Sequence, residues 1–127
     1  MVVAPGDVQT LGKLTVTAVS AYNTTNTNYH PKARKDVGYV LDFNGFRVYV
    51  AGDCEDMNEM AELEDIDVAF LPMNQPYPMT PAQGIRAARM FNPRILYPYH
   101  FGNTDLQPVV DAFKDSGVTE VRLRNLQ

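Results

Sequence analysis

The stretch RVYVAGDCEDMNEM, residues Arg47 to Met60, leads a hydrophobic strand directly into an acidic segment. Its β-branched and aromatic residues, Val48 to Val50, favour a strand. Gly52 then ends the strand and Asp53 follows, which puts a carboxylate at the strand's carboxyl end. A turn, or the N-cap of a short helix around Glu55 to Met60, would explain Asp53 without any function. The rest of the chain has to decide between that explanation and a functional one.

Composition limits the class of protein. A chain of 127 residues, 45% of them hydrophobic and 20% charged, is ordinary for one globular domain, and we predict a single domain over 1–127. The formal net charge of −4 argues against a nucleic-acid partner. The basic cluster PKARK, Pro31 to Lys35, is explained by a solvated loop. No apolar run approaches the ~20 residues that span a bilayer, so we expect no membrane partner.

Cysteine usage and the first residues bear on the compartment. The single cysteine, Cys54, excludes an internal disulfide and suits a reducing environment. The opening MVVAPGDV is too short for a signal peptide and has no charged leader. We therefore expect a cytoplasmic protein. For Cys54 itself, a small buried residue is favoured over a thiolate metal ligand.

The first part of the chain is predicted to form strands. The segment KLTVTAVSAY, Lys13 to Tyr22, has the alternation of a half-buried strand. Asn44-Gly45 then stands between GYVLDF and FRVYVA, and Asn-Gly between two β-rich runs predicts a hairpin. The acidic run from Glu55 to Asp67 is assigned to a solvated helix and loop in preference to a metal site.

The second part alternates strands with helices. Thr80-Pro81 predicts a helix start, with Phe91 in its apolar stripe and Gln83 on the opposite, polar side. A second helix is closed by Gly117. The strands of this part are VAFLP, RILYPY and TEVRL, at 68–72, 94–99 and 119–123. The predicted order is a strand, a hairpin and then β-α-β-α-β, which is an α/β fold with helices packed on a sheet.

Polar residues follow several of these strands. Asp53, Asn74 and His100 come at or just after strand ends, where ligands gather in such sheets. Carboxylate and neutral imidazole are ligands of divalent metals such as zinc. A catalytic zinc site needs about three protein ligands, however, and His100 could equally serve only as a hydrogen-bonding residue at the end of its strand.

Three segments carry a resemblance to a known family. GFRVYVAGD, IDVAFLPMNQPYPMTPAQGIRAARMFNP and ILYPYHFG resemble, in order and spacing, the C-terminal part of the metallo-β-lactamase-fold hydrolases. The branch most similar is that of the uncharacterised metal-dependent hydrolases related to the ascorbate-phosphate lactonase. The resemblance implies an αββα sandwich with two metal ions between its sheets. It assigns the bridging aspartate to Asp53 and the last histidine ligand to His100.

The sequence departs from the family pattern in its histidines. The family's His-x-His-x-Asp-His motif does not occur, since the chain has only His30 and His100. That motif lies upstream of the region that this chain resembles, so the resemblance covers the C-terminal half of the domain. The family's third-histidine region falls near Asn23, a weak neutral ligand. His30 is the alternative ligand, or a loop histidine beside Pro31.

Two classes of function follow from the resemblance. The first is a metal-dependent hydrolase in which metal-bound hydroxide attacks a small-molecule lactone, ester, amide or phosphoester. Its divalent ion would be Zn²⁺, with Mn²⁺ as the alternative, held weakly by this chain alone. The second is a non-catalytic half-domain that keeps the fold without a complete metal site. A flavodoxin-like phosphate-binding domain is a weaker third interpretation, because no glycine-rich loop follows a strand.

The missing half of the sandwich predicts an interface. A sheet without its partner layer leaves an apolar face uncovered, and such faces mark association. We therefore expect self-association or pairing with the missing N-terminal half.

Overall fold

The computed structural model describes residues 4–22, 36–52, 54–73 and 79–126. They form one seven-stranded mixed sheet in which the strands are ordered as in the chain. The strands are β1 (Val8–Leu11), β2 (Leu14–Ser20), β3 (Val37–Phe43), β4 (Phe46–Val50), β5 (Val68–Pro72), β6 (Ile95–Tyr99) and β7 (Glu120–Val121). The helices are α1 (Pro81–Phe91), α2 (Gln107–Ala112) and a 3-10 helix at Asn58–Glu62.

The first four strands are antiparallel. The predicted hairpin is confirmed: Phe43 pairs with Phe46 around Asn44 and Gly45, which both have left-handed backbone angles (φ 53° and 91°). Asn and Gly tolerate that conformation, as the turn requires. Strand β1 was not predicted, because all its residues are exposed and so lack the burial-driven alternation that marks a strand.

The last four strands are parallel, and α1 and α2 connect β5 to β6 and β6 to β7. The predicted β-α-β-α-β order is therefore confirmed. Thr80 caps α1 in a capping box with Gln83, and Pro81 occupies its first turn. Helix α2 ends at Ala112 instead of continuing towards Gly117. The prediction that Gln83 faces solvent was wrong, since its exposed fraction is only 8%.

The two faces of the sheet differ in how far they are buried. On the first face the row Val40, Tyr49, Ala69 and Leu96 is almost fully buried within one core that includes residues of α1 and α2. The ring of Phe91 from α1 meets Tyr49 edge to face at 5.5 Å between centroids. No helix in the described ranges is both long and apolar enough to cross a bilayer.

The second face is apolar but only half-buried. It carries the alternate positions of the same strands, among them Tyr39, Leu41, Val48, Val50, Val68, Phe70, Ile95 and Tyr97. Phe43 and Phe46 at its end are 55% and 51% exposed. We refer to this set of side chains as the open face.

Candidate metal site

The carboxyl ends of β4, β5 and β6 share one edge of the sheet, because the three strands are parallel. Val50, Phe70 and Tyr97 are paired across them in one row. Asp53 and His100 follow that row at the same number of residues beyond Val50 and Tyr97. Both predicted ligands thus come from segments that leave the sheet at the same edge. Asp53 itself lies outside the described residues.

His100 begins the segment that leaves β6. It has a left-handed backbone (φ 52°), which is uncommon for a residue with a side chain and turns the chain sharply. Its backbone N–H donates to the carbonyl oxygen of Leu126 at 2.7 Å, so the C-terminal segment fixes this turn. The residue is exposed. Its position is therefore at the carboxyl edge, where ligands bind in parallel sheets.

Where the chain leaves β4, two glycines allow close contacts between backbone segments. Gly52 has a φ of 72°, and a Cβ added there would lie 3.1 Å from the carbonyl oxygen of Val37. At Gly38 an added Cβ would lie 2.5 Å from the carbonyl oxygen of Ala51. The start of β3 therefore passes directly against the chain that leads to Asp53. Only glycine permits this approach.

The residues that follow Asp53 are buried. The thiol of Cys54 is buried and contacts the carbonyl oxygen of Ala51 at 3.7 Å, in agreement with the expected small buried residue. The hydroxyl of Tyr49 is also buried and has no hydrogen-bond partner among the described side chains and backbone. Burial raises the pKa of Tyr49 well above its ordinary value, with smaller effects from Cys54 and Tyr99.

The acidic run from Glu55 to Asp67 was predicted to be a solvated helix and loop, and this was wrong for Glu55. Its exposed fraction is 1%, and its carboxylate accepts a hydrogen bond from the Gln83 amide at 2.6 Å. Asp56, the next residue, pairs with Arg86 of α1 at 3.0 Å. Sequence reasoning missed both contacts, since neither partner shares a helix or a strand pair with the acidic run.

The described residues do not assemble a complete metal site. No group of three or more His, Cys, Asp or Glu side chains that could hold a metal ion occurs within the described ranges. Of the four predicted ligands, only His100 is described. Asn23, His30 and Asp53 lie outside the described residues, as do Asn74 and its neighbours to Pro78.

Comparison with known proteins adds a family and a fold. The sequence matches the family described as "Beta-lactamase superfamily domain" over residues 1–101. A UPF0173 metal-dependent hydrolase from Rubrobacter xylanophilus is 30% identical over 111 residues, which cover 81% of this chain and 46% of that protein.

Solved structures are similar over almost the whole chain. A provisionally named metal-dependent hydrolase from Parabacteroides distasonis is 53% identical, with a TM-score of 0.93 over 99% of this chain and 58% of that chain. A metallo-beta-lactamase fold protein from Bacillus subtilis is 13% identical, with a TM-score of 0.72 over 98% of this chain and 52% of that chain. These likenesses confirm the predicted α/β metallo-β-lactamase-type fold. The chain spans about half the length of these relatives.

Proposed function

We propose that this chain, which belongs to the beta-lactamase superfamily, supplies part of the metal site of a metal-dependent hydrolase. The resemblance seen in the sequence is confirmed by the family match and by the relatives. The relatives from Rubrobacter and Parabacteroides carry the name metal-dependent hydrolase. Because the chain spans about half of each of them, hydrolysis is proposed for the whole protein of which such a chain forms a part.

The observation that carries the proposal is the shared edge of β4 and β6. In parallel sheets the carboxyl ends of strands are where ligands bind. Asp53 and His100 each follow a residue of the paired row, Val50 and Tyr97, by three positions in the sequence. A carboxylate with a neutral imidazole is a donor pair suited to a divalent ion. We therefore assign Asp53 and His100 as metal ligands of this chain.

The remaining assignments rest on the same chemistry. His30, or the weaker ligand Asn23, is proposed as a third donor. Zn²⁺ suits a nitrogen and oxygen donor set, with Mn²⁺ as the alternative. A divalent ion supplies Lewis-acid chemistry, since it polarises the scissile group and lowers the pKa of water. The substrate class is a small lactone, ester, amide or phosphoester, and the single buried Cys54 supports a reducing, cytoplasmic compartment.

Metal content tests this proposal directly. Protein purified without chelator is analysed for its elements beside the Asp53→Ala and His100→Ala variants. We expect substoichiometric zinc or manganese in the parent chain and a loss in both variants. A parent chain that takes up no divalent ion, even at millimolar Zn²⁺ or Mn²⁺, would contradict the assignment.

A non-catalytic half-domain is the second candidate. It is favoured by the chain's partial coverage of its relatives. Metal uptake distinguishes the two candidate functions. In a half-domain without a metal role, the Asp53→Ala and His100→Ala substitutions would not change the amount of metal bound.

A further inference from the structure

The hairpin turn between β3 and β4 contains a chemically reactive pair of residues. Asn44-Gly45 is the one Asn-Gly pair in the sequence. Asparagine is thermolabile because the backbone nitrogen of the next residue can attack its side-chain amide carbon, and glycine, which has no Cβ, shields that nitrogen least. Both residues are exposed, so water has access to them. The turn therefore presents the groups that deamidation needs.

The attacking nitrogen of this pair is held by Asp42. The backbone N–H of Gly45 donates to Oδ1 of Asp42 at 2.8 Å, and Nη1 of Arg47 donates to Oδ2 at 3.0 Å. Nε of Arg47 donates in turn to the carbonyl oxygen of Glu64 at 3.1 Å. The hydrogen bond from Gly45, followed by that from Arg47, holds the pKa of Asp42 below its ordinary value. Asp42 is therefore a carboxylate near neutral pH, fixed through both of its oxygens.

This hydrogen bond opposes the first step of deamidation. The Gly45 nitrogen has to lose its proton before it attacks, and the neighbouring carboxylate disfavours that loss, because the hydrogen bond would be broken and two negative charges would meet. The turn also opposes ring closure. Asn44 and Gly45 have φ angles of 53° and 91°, and the pairing of Phe43 with Phe46 holds the strands on either side. Cyclisation would change the backbone angles that this pairing requires.

We propose that Asn44 is a site of spontaneous deamidation and that the Asp42 carboxylate suppresses the reaction by holding the Gly45 N–H. In the reaction the Gly45 nitrogen gives its proton to solvent and bonds to Cγ of Asn44, while the Cγ–Nδ2 bond breaks and ammonia leaves with a proton from solvent. Water then opens the succinimide at either carbonyl carbon, which gives aspartate or isoaspartate without any oxidation or reduction. The proposal is independent of the metal site.

The two products differ in their effect on the hairpin. Aspartate tolerates the left-handed conformation at position 44, although it adds a second charge near Asp42. Isoaspartate instead carries the backbone through its side-chain carbon and lengthens the loop, and loop length sets the register of a hairpin. We expect isoaspartate to weaken the pairing of Phe43 with Phe46, which are 55% and 51% exposed at the end of the open face.

Peptide mass mapping of the 127-residue chain, after incubation at mildly alkaline pH, measures the rate at Asn44. Asp42→Ala removes the acceptor, and we expect about tenfold faster conversion than in the parent chain. Asp42→Asn keeps a neutral acceptor and should be about threefold faster. Asn44→Gln should abolish the product in this peptide. If Asp42→Ala does not fold, the direction of the change in Asp42→Asn decides.

Arg47→Gln is the matched control. It removes the ion pair with Asp42 but leaves the contact between Asp42 and Gly45, so the rate should stay near that of the parent chain. An increase as large as that in Asp42→Ala would overturn the proposal, since a general loosening of the hairpin would explain both variants. In concentrated urea the parent chain and Asp42→Ala should share one faster rate. A difference that persists there would also overturn it, because the folded contact is then absent.

Two further results would contradict the protective role. Slower conversion in Asp42→Ala would mean that the carboxylate acts as a general base on the Gly45 N–H. An unchanged rate would mean that the contact has no influence on the reaction. Asn58 and Asn103, which precede larger residues, serve as references in the same digest, and their rates should not respond to substitution of Asp42.

Discussion

The rings of Phe70 and Tyr97 stack on the open face, with 5.3 Å between centroids and 15° between ring planes. Tyr99 meets Phe70 edge to face at 6.4 Å. These aromatic side chains lie among half-buried aliphatic residues of neighbouring strands, on the side of the sheet opposite the buried core. Such a surface is typical of an interface between layers or subunits.

The open face predicts association. We expect the chain to sediment as a dimer or larger species, or to form a one-to-one complex with the segment of the Parabacteroides relative that it does not span. Val48→Glu puts a charge at the centre of this face and should shift the population to monomer. Analytical ultracentrifugation in the micromolar range measures the change.

Val8→Glu is the control for that experiment. Val8 is 62% exposed and by register belongs to the other face of the sheet, so its substitution should leave association unchanged. A parent chain that stays monomeric both alone and with the complementary segment would refute the interface.

We expect substitution of alanine for glycine to lower the free energy of unfolding by different amounts at Gly38 and Gly84. In Gly38→Ala the new methyl group would meet backbone oxygens of Val50 and Ala51 at 2.6 and 2.5 Å, and backbone cannot move aside cheaply. We expect a loss of about 1–3 kcal/mol in the free energy of unfolding. In Gly84→Ala the obstacle is the flexible end of Met73, and alanine favours the helix by about 1 kcal/mol, so the net change should be smaller.

Urea denaturation of both variants checks the comparison. Similar losses at the two positions would mean that the exit of β4 can relax as readily as a methionine side chain, and that Gly38 does not fix the path to Asp53.

The Tyr22 hydroxyl is expected to make the stability of the fold depend on pH in the alkaline range. Burial, together with the hydrogen bond and the charge of Glu59, whose carboxylate lies 2.5 Å from the phenol oxygen, raises its pKa to about 12. The ordinary tyrosine pKa is about 10. The folded state therefore retains this proton more strongly than the unfolded state. The resulting stability is present below pH ~10 and is lost as the pH rises through ~12.

Absorbance titration of the phenolate follows this group. The absorbance change that is present in the parent chain and absent in Tyr22→Phe should be centred near pH 12. The Glu59→Gln variant keeps a hydrogen-bond acceptor but removes the charge, so it should move this absorbance change to lower pH. A difference centred near pH 10 in the parent chain would show that Tyr22 is not bound to Glu59.

The sequence predicted the fold where local patterns decide it. Asn44-Gly45 determines a hairpin, and Thr80-Pro81 determines a helix start, because each depends on the backbone preferences of adjacent residues. The exposed strand β1 escaped prediction because its residues gain little burial and so carry no hydrophobic period. The end of α2 was predicted too late, because the helix ends at Ala112, before the Gly117 that was expected to close it.

The site was only partly predictable for a different reason. That Asp53 and His100 follow strands at one edge could be inferred from parallel β-α-β topology. The burial of Glu55 could not, because its partner Gln83 is brought to it only when α1 packs against the end of β5. Contacts between segments distant in sequence leave no periodic signal in either segment.

The last prediction concerns activity. Asp53 and His100, with Asn23 or His30, provide fewer ligands than a dinuclear centre needs, so an ion held by them keeps mostly water and exchanges readily. We expect the 127-residue chain to hydrolyse lactones and phosphoesters feebly at most, even with added Zn²⁺ or Mn²⁺.

Adding the segment of the Parabacteroides relative that this chain does not span should give tight metal binding and turnover together. In that assembly Asp53→Ala and His100→Ala should abolish both, whereas Gln107→Glu on the exposed side of α2 should not. Metal affinity by competition with a chromogenic chelator, and turnover of a lactone and a phosphoester, are measured on the same samples. Robust metal-dependent turnover by the chain alone would mean that other residues of this sequence complete the site without help from a second segment.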